Sequence, residues 1–511
     1  MKPKLRTVKV SLSLERRKAS WPALWAAIAA IALWHCWFAA YDHDEIEHLH
    51  AAWLISVGQL PYRDFLEQHH PTVWFLAAPM VAEFTSVRPL VFAARLFDAL
   101  CLVGVLWVVR RLVQRLYPEV RWQFPVLLLL ASFMFVRSTL EFRPDPLMNI
   151  ALYGALLNWV TFIEEGRWWR SVAAGALFGL AVVVLQKAAV IVALVLTSGL
   201  LLIALRRWRA DHALRLALGL CMVSTLVGLC TAGLFVAMGS LGILDDFWFW
   251  NYPFNRFFYL EGELPQHFFV TKTIGLSVLL DPILWGAGMI GASLCARDLL
   301  RRNPFSPRDD CRLSLLWIAG GYLAFLSFNR FPLAQYFIVL LPLLALFAAE
   351  VFTSIRDGWR ATLLSRSILF APLVLIAVLL LYPSNREQRN LQELVLGLTS
   401  RDQSIFVPPA FNPIFRRDAA YFWYNGDLIS GAYDEYCRRH ENCVHDKLLL
   451  DEHRWKAAPP AYVFLPLPAH YPYRWSSRRG GYSPTGIPSL LKRDPESAPS
   501  ASAAAGAHAP Q

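Results

Sequence analysis

The densest collection of ionisable side chains in this 511-residue chain is one short stretch, YDHDEIEHLHAAWLISVGQLPYRDFLEQHHP, residues 41–71. It carries Asp42, Asp44, Glu45, Glu47, Asp64 and Glu67 among five histidines. Carboxylates crowded in this way can take a proton from a hydroxyl nucleophile, or can hold a metal ion together with imidazoles. Asp44 and His48, or His43 and Glu47, stand four residues apart and share a helix face as zinc ligands often do. The same histidines can equally hydrogen-bond neighbouring carboxylates with no metal present. A plainer reading also applies to the acids, because Asp42-x-x-Glu45 and Asp44-x-x-Glu47 resemble capping boxes that satisfy the free N–H groups at a helix start. From Asp44 to Val57 the apolar Leu49, Trp53 and Val57 recur on one face and Gly58 follows as a stop. The pattern predicts a helix lying along a membrane interface.

The elements that must position this stretch are membrane helices. The chain is 56% hydrophobic with 20 Trp and 33 Phe, more apolar surface than a water-soluble domain can hide. Apolar runs near 21–40, 88–109, 122–140, 145–163, 168–186, 188–205, 214–238, 273–296, 312–328, 333–351 and 366–382 predict about eleven spans. The run 72–84 is too short to span and holds Pro79, so it is predicted to be re-entrant or interfacial. Lys and Arg alternate between loops, about 25 in one set and about six in the other. The positive-inside rule then places residues 1–20 in the cytoplasm and, after an odd number of spans, everything from 383 outside it. A multi-pass protein of the cytoplasmic (inner) membrane is expected. The net charge of +11 follows from this loop asymmetry and not from a basic groove, which excludes nucleic acid as a partner.

The expected organisation is a transmembrane domain over 21–382 with its chemistry in the first outer loop, 41–87, then a small mixed α/β extracytoplasmic domain over 383–490. Within the latter, 404–408 and 461–466 read as strands, and 386–397 and 431–440 as helices. The tail 491–511 is poor in bulky apolar residues and is predicted to be disordered. Six of the eight cysteines fall in or beside spans, whereas Cys437 and Cys443 share the exported domain and are expected to form a disulfide. The absence of a Gly-rich phosphate-binding motif and of a cytoplasmic domain argues against an ATP-driven pump.

Taken together, Asp44-Glu45 just past the first span, Ala51-Ala52, Gly58, Pro61-Tyr62, Asp64-Phe65 and His70-Pro71 resemble the membrane glycosyltransferases of the GT-C type. The similarity is to the bacterial branch related to protein O-mannosyltransferases, lipid A aminoarabinose transferases and rhizobial lipopolysaccharide galacturonosyltransferases. It continues through Ala94-Arg95-Leu96, Arg143-Pro144-Asp145, Lys187, and Tyr336 with Pro342, covering most of 35–345. Two positions depart from the pattern: many relatives have His-Tyr at Gln335-Tyr336, and two prolines where this chain has Pro71-Thr72. The resemblance implies an all-α polytopic GT-C-like fold and transfer of a sugar from a polyprenyl-phosphate donor, with inversion, to a lipid, polysaccharide or protein acceptor. Asp44 would be the base with Glu45 beside it. Glu67, His70, Arg143, Asp145, Lys187 and Arg256 would serve donor or phosphate binding. A divalent metal is an optional cofactor, since some relatives use one, with Asp44 and His48 as ligands.

Two alternatives stay open at this level. The aromatic stretch 247–259 could stack on sugar rings or form an interfacial belt. A transporter or flippase would use Asp44, Arg143, Asp145 and Lys187 as coupling charges, but would need them near the membrane midplane.

Overall fold

The computed structural model describes residues 20–206, 210–261, 270–301, 306–328, 334–354, 377, 379–407, 409–423, 426–440, 447, 459–464, 482–485 and 490–494. Helix α1 spans Ser20–Phe38, α2 His43–Ser56, α3 Thr72–Ala82, α4 Val87–Leu116 and α7 Pro144–Glu165, with α5 and α6 between the last two. Helices α8 Trp168–Val184, α9 Ala188–Arg206 and α10 Ala210–Ser240 follow, then the short α11 Leu244–Phe249. The membrane part closes with α12 Val270–Leu280, α13 Pro282–Arg301, α14 Pro307–Phe328 and α15 Leu341–Ser354. Among the described residues six helices are long and apolar enough to cross a membrane, seven if one bent pair counts as a span. Helices α1, α8 and α15 occupy three more of the eleven expected positions, and most of 366–382 lies outside the described residues.

Two expected spans are broken, for a shared reason. The run 122–140 divides into α5, Gln123–Leu130, and α6, Phe133–Leu140, bent by 71°. The run 273–296 divides into α12 and α13 at Asp281. Ser132 N-caps α6, accepting from Phe135 N at 3.1 Å, and the Asp281 carboxylate accepts from Ser132 Oγ at 2.6 Å and Phe133 N at 2.9 Å. Asp281 at one break thus satisfies an N–H that the other exposes, the condition for irregular backbone at membrane depth. Helices α13 and α15 meet backbone to backbone: a Cβ on Gly288 would stand 2.7 Å from Leu344 Cβ, and one on Gly291 would overlap the Phe347 carbonyl. The run 72–84 forms the eleven-residue α3 with Pro79 inside it and Trp74 fully buried.

After the membrane part, α16 (Arg386–Leu398) and α17 (Gly426–Arg439) accompany a five-stranded sheet of order β2-β1-β3-β5-β4. Strand β1, Ser404–Phe406, runs parallel to β2, Arg417–Asp418, and to β3, Tyr462–Phe464. Strand β5, Leu490–Arg493, runs antiparallel to β3 and to β4, Tyr482–Pro484. The sheet therefore passes the 490 boundary expected from composition, because Leu490 and Leu491 pair with Phe464 and Val463. The remainder of the expected disordered tail, 495–511, lies outside the described residues, as do residues 1–19. Cys437 is disulfide-bonded and the other six described cysteines are free. Its expected partner Cys443 lies outside the described residues.

Candidate active site

The site is built on the first turn of α2. Asp42 is the N-cap in extended conformation, its Oδ1 accepting from Asp44 N at 3.0 Å, so the capping reading of Asp42 holds. At the other end Gly58 takes φ +87°, the left-handed geometry that stops the helix. The turn that follows is rigid. Tyr62 also adopts a positive φ of 67°, its N–H donating to Phe65 O at 2.9 Å and its hydroxyl to His69 O at 2.5 Å. Asp64 closes the turn by accepting from Leu60 N at 2.8 Å. The C-terminal domain clamps the arrangement: Tyr421 OH donates to Tyr62 O, and Leu66 N donates to Tyr421 O. The fully buried His50 bridges Ile414 O (2.6 Å) and Asp418 Oδ2 (2.5 Å).

Asp44 and Glu45 leave α2 in different directions. Asp44 keeps part of its side chain exposed, 18%, and pairs with Arg143 and with His43 Nε2 at 3.0 Å. Arg143, between α6 and α7, also binds Asp42 at 2.5 Å and Glu141 at 3.2 Å. Glu45 is wholly buried. Arg95 of α4 grips both its oxygens at 2.8 and 2.6 Å, and Phe142 N donates to Oε1 at 3.2 Å. The same guanidinium donates to the carbonyls of Cys36, in the last turn of α1, and of Ala39 and Ala40 just past it. Glu45 therefore fixes α2 against α1 and α4, a positioning contact out of solvent.

A second charged centre lies at helix ends. Asp145 sits in the first turn of α7, where Pro144 supplies the fixed φ of a helix start, and it pairs with Lys187 in the three-residue link between α8 and α9. The Lys187 ammonium also lies over the Tyr336 ring at 4.4 Å. Burial pulls this ammonium below its usual range while Asp145 draws it back up. Asp145, Lys187, His69, Gln335 and Tyr336 line a polar cavity of about 190 Å³. That cavity shares Gln186, Asn251, Asn255, Tyr259 and Tyr336 with a neighbouring one of about 1020 Å³, walled by Trp248, Tyr252, Phe257 and Phe325 and by Tyr436 of α17. The 247–259 stretch is thus neither a plain belt nor a plain lid. Trp250 and Phe254 are fully buried, Trp250 packing on Tyr421 and Tyr433 of the C-terminal domain, while their neighbours face the wide cavity.

The remaining expected site residues fall elsewhere. His70 is committed at both nitrogens, with Val182 O at 2.9 Å and Tyr252 OH at 3.2 Å, and burial pushes its imidazole down to about 4. It fastens the loop to α8 and leaves no donor for a phosphate. Arg143 pairs with three carboxylates, those of Asp42, Asp44 and Glu141. Arg256 stands at the wall of the wide cavity, 74% exposed and paired with Glu261 at 3.0 Å, away from the polar end. Of the expected metal pair, Asp44 pairs with Arg143, and His48 Nδ1 accepts from Trp74 Nε1 at 3.0 Å. Burial, with His69 beside it, holds the His48 imidazole well below its usual range. Glu67 is buried beside Glu47 and His69, whose ligand atoms lie within 4.8 Å of one another, and burial pushes its carboxyl up. His69, Asn251, Asn255 and Tyr259 are cavity residues that sequence reasoning missed, because nothing in their spacing marks them.

Residues 69–229 match the model of the family described as dolichyl-phosphate-mannose-protein mannosyltransferase. The matched segment holds Arg143, Asp145 and Lys187 but not Asp44. No curated protein sequence matches the chain. Among solved structures the chain is similar to ArnT from Cupriavidus metallidurans in the apo state, with a TM-score of 0.60 at 14% identity over 87% of this chain and 92% of that one. It is also similar to the same protein bound to undecaprenyl phosphate, with a TM-score of 0.52 at 14% identity over 81% and 78%. The chain thus has the fold of this membrane protein over most of its length, and its central helices match the mannosyltransferase family model.

Proposed function

We propose that the protein transfers a sugar from a polyprenyl-phosphate donor to an acceptor hydroxyl on the outer face of the cytoplasmic membrane, inverting the anomeric configuration. The observation that carries this reading is the joined cavity: a wide aromatic chamber leads into a narrow end holding Lys187 and Asp145. A lipid-linked sugar has the same polarity, isoprenoid chain at one end and phosphate at the other. Undecaprenyl phosphate bound to ArnT, the protein of like fold, agrees with this ligand class.

In this mechanism Asp44 removes the acceptor proton, the acceptor oxygen bonds to the anomeric carbon, and the carbon–oxygen bond to phosphate breaks. The polyprenyl phosphate departs with the electron pair, and Lys187 offsets the charge that develops on it. Arg143 orients Asp44 without binding the donor. Asp145 in the first turn of α7 and Lys187 beyond the end of α8 occupy helix ends, where an enzyme meeting a headgroup needs them, and not the mid-span positions that a transporter would use. Outward orientation is supported by the Lys and Arg asymmetry between loops and by the disulfide at Cys437, a bond of oxidising compartments. The acceptor is a lipid, polysaccharide or protein hydroxyl. The test supplies purified protein in lipid nanodiscs with a panel of polyprenyl-phosphate sugars and measures released polyprenyl phosphate. Release with at least one donor, dependent on Asp44, is expected; inertness towards the whole panel would overturn the reading.

A further inference from the structure

The proposed chemistry uses the charges of the narrow cavity and leaves four of its neutral side chains without a task. Gln68, Gln186, Asn251 and Asn255 all line it, and the last three also line the wide cavity, which puts them where the two meet. Each has a side-chain oxygen that is enclosed and has no hydrogen-bond partner among the described residues: Gln68 Oε1, Gln186 Oε1, Asn251 Oδ1 and Asn255 Oδ1. The nitrogen ends are occupied. Asn255 Nδ2 donates to Gln68 O at 2.8 Å and to Asn251 O at 3.3 Å, Gln186 Nε2 to Gln68 O at 3.3 Å, and Asn251 Nδ2 to Phe247 O at 3.1 Å. These bonds fix the orientation of the three amides, because turning one over would set its oxygen against a main-chain oxygen. Their donors are spent on the backbone and their acceptors are left over. Buried polar atoms in folded proteins are nearly always bonded. Four idle acceptors at one junction therefore call for a ligand that brings donors, and hydroxyl groups are the donors that a neutral sugar carries.

We propose that these four amides form the subsite for the transferred sugar and select a neutral sugar through its hydroxyl groups. The inference rests on the lipid-linked sugar donor argued above and names the class of sugar it carries. Asp145 and Lys187, the charged pair lining the same cavity, neutralise each other, and Lys187 is taken up by the phosphate once the donor arrives. A sugar carboxylate entering there brings no donor and meets amide oxygens and the Asp145 carboxylate. A site built to bond hydroxyls rejects analogues that lack them, since its own buried groups are then left unpaired. Gln68 is the hinge of the arrangement: its main-chain oxygen holds Gln186 and Asn255, and its side-chain oxygen is one of the four acceptors.

The test reads binding without turnover, by calorimetry on the full chain in lipid nanodiscs. It compares polyprenyl phosphodiesters carrying glucose, galactose or mannose, their uronic acid counterparts, and a polyprenyl methyl phosphate with the same phosphate charge and no sugar. At least one neutral sugar lipid should bind about tenfold or more tighter than both the methyl lipid and its own uronic acid counterpart. Gln68→Met removes one acceptor and spares the main-chain bonds, so it should weaken that sugar lipid by about two- to tenfold and leave the methyl lipid unchanged. Combined with Asn255→Leu it should bring the two lipids to nearly equal affinity. Sugar and methyl lipids bound alike by the wild type would overturn the proposal, as would a uronic acid lipid bound as tightly as the neutral one. Variants that weaken both lipids equally would make the amides structural, and variants that leave the preference intact would assign the oxygens to bound water; either result refutes it. Sugar-dependent binding without release of polyprenyl phosphate would support the subsite and overturn the transferase reading alone.

Discussion

Glu45 is held entirely out of solvent. Arg95 and Phe142 N give its carboxylate three hydrogen bonds, and the same guanidinium holds three carbonyls in the last turn of α1 and just past it. Around Asp44, one residue earlier, the partners are ionic but shared: Arg143 divides itself among Asp42, Asp44 and Glu141, and Asp44 retains exposed surface. Both carboxylates are close to arginine, so charge alone does not separate them. Burial does. Glu45, wholly enclosed and held by three hydrogen bonds, ties helices together, while the partly exposed Asp44 can receive a proton.

The sharpest way to break this comparison is Asp44→Asn, which keeps shape and some hydrogen bonding but removes basicity. Sugar transfer should fall by about 10²–10⁴-fold with little change in thermal midpoint, measured on the same preparation. Near-normal turnover would move the base to another carboxylate. Arg95→Ala acts on the opposite half, leaving Glu45 charged and buried alone, and should cost about 3–5 kcal/mol of stability in denaturant unfolding. Full stability in that variant would refute the positioning role. Lys187→Gln should raise the donor concentration for half-maximal rate by about tenfold or more, since hydrogen bonds to charged groups contribute about 1.5–3 kcal/mol. The acceptor dependence should stay put; if both shift together, Lys187 is structural.

The smallest expected effect is that of pH. Burial lowers the His70 imidazole from 6.5 to about 4. Between those values the unfolded chain binds the additional proton, so this contribution to stability is present above about 6.5 and is lost as the pH falls towards 4. The slope is up to about 1.4 kcal/mol per pH unit for one such group. Thermal midpoints of wild type and His70→Asn between pH 7 and 4.5 check this, the variant showing the flatter profile.

Much of the site was legible where chemistry and period coincide. Helix α2 lies within a residue of its expected start and end, because Asp42, the apolar face and Gly58 are local signals. The breaks at Ser132 and Asp281 were not, since each lies within a run apolar enough to read as one span, and only the meeting of two distant segments makes a break cheap there. Glu45 could not be told from Asp44 by sequence because the residue that distinguishes them, Arg95, is fifty positions away. His70 failed for a similar reason: its partners Val182 and Tyr252 belong to α8 and to the segment after α11.

The clamp on α2 also sets an order of events in time. His50 leaves the ribosome 364 residues before Ile414, the carbonyl that its ring bonds to. At about 5–20 residues per second, the loop that carries α2 waits roughly 20–70 s for the segment that completes its packing. A chain halted anywhere before the sheet of the C-terminal domain has inserted its early helices and carries Asp44, yet lacks the Tyr421 clamp on the turn around Tyr62. Such fragments would reach the membrane as inert proteins, so premature termination would silence the enzyme without producing a rogue transferase.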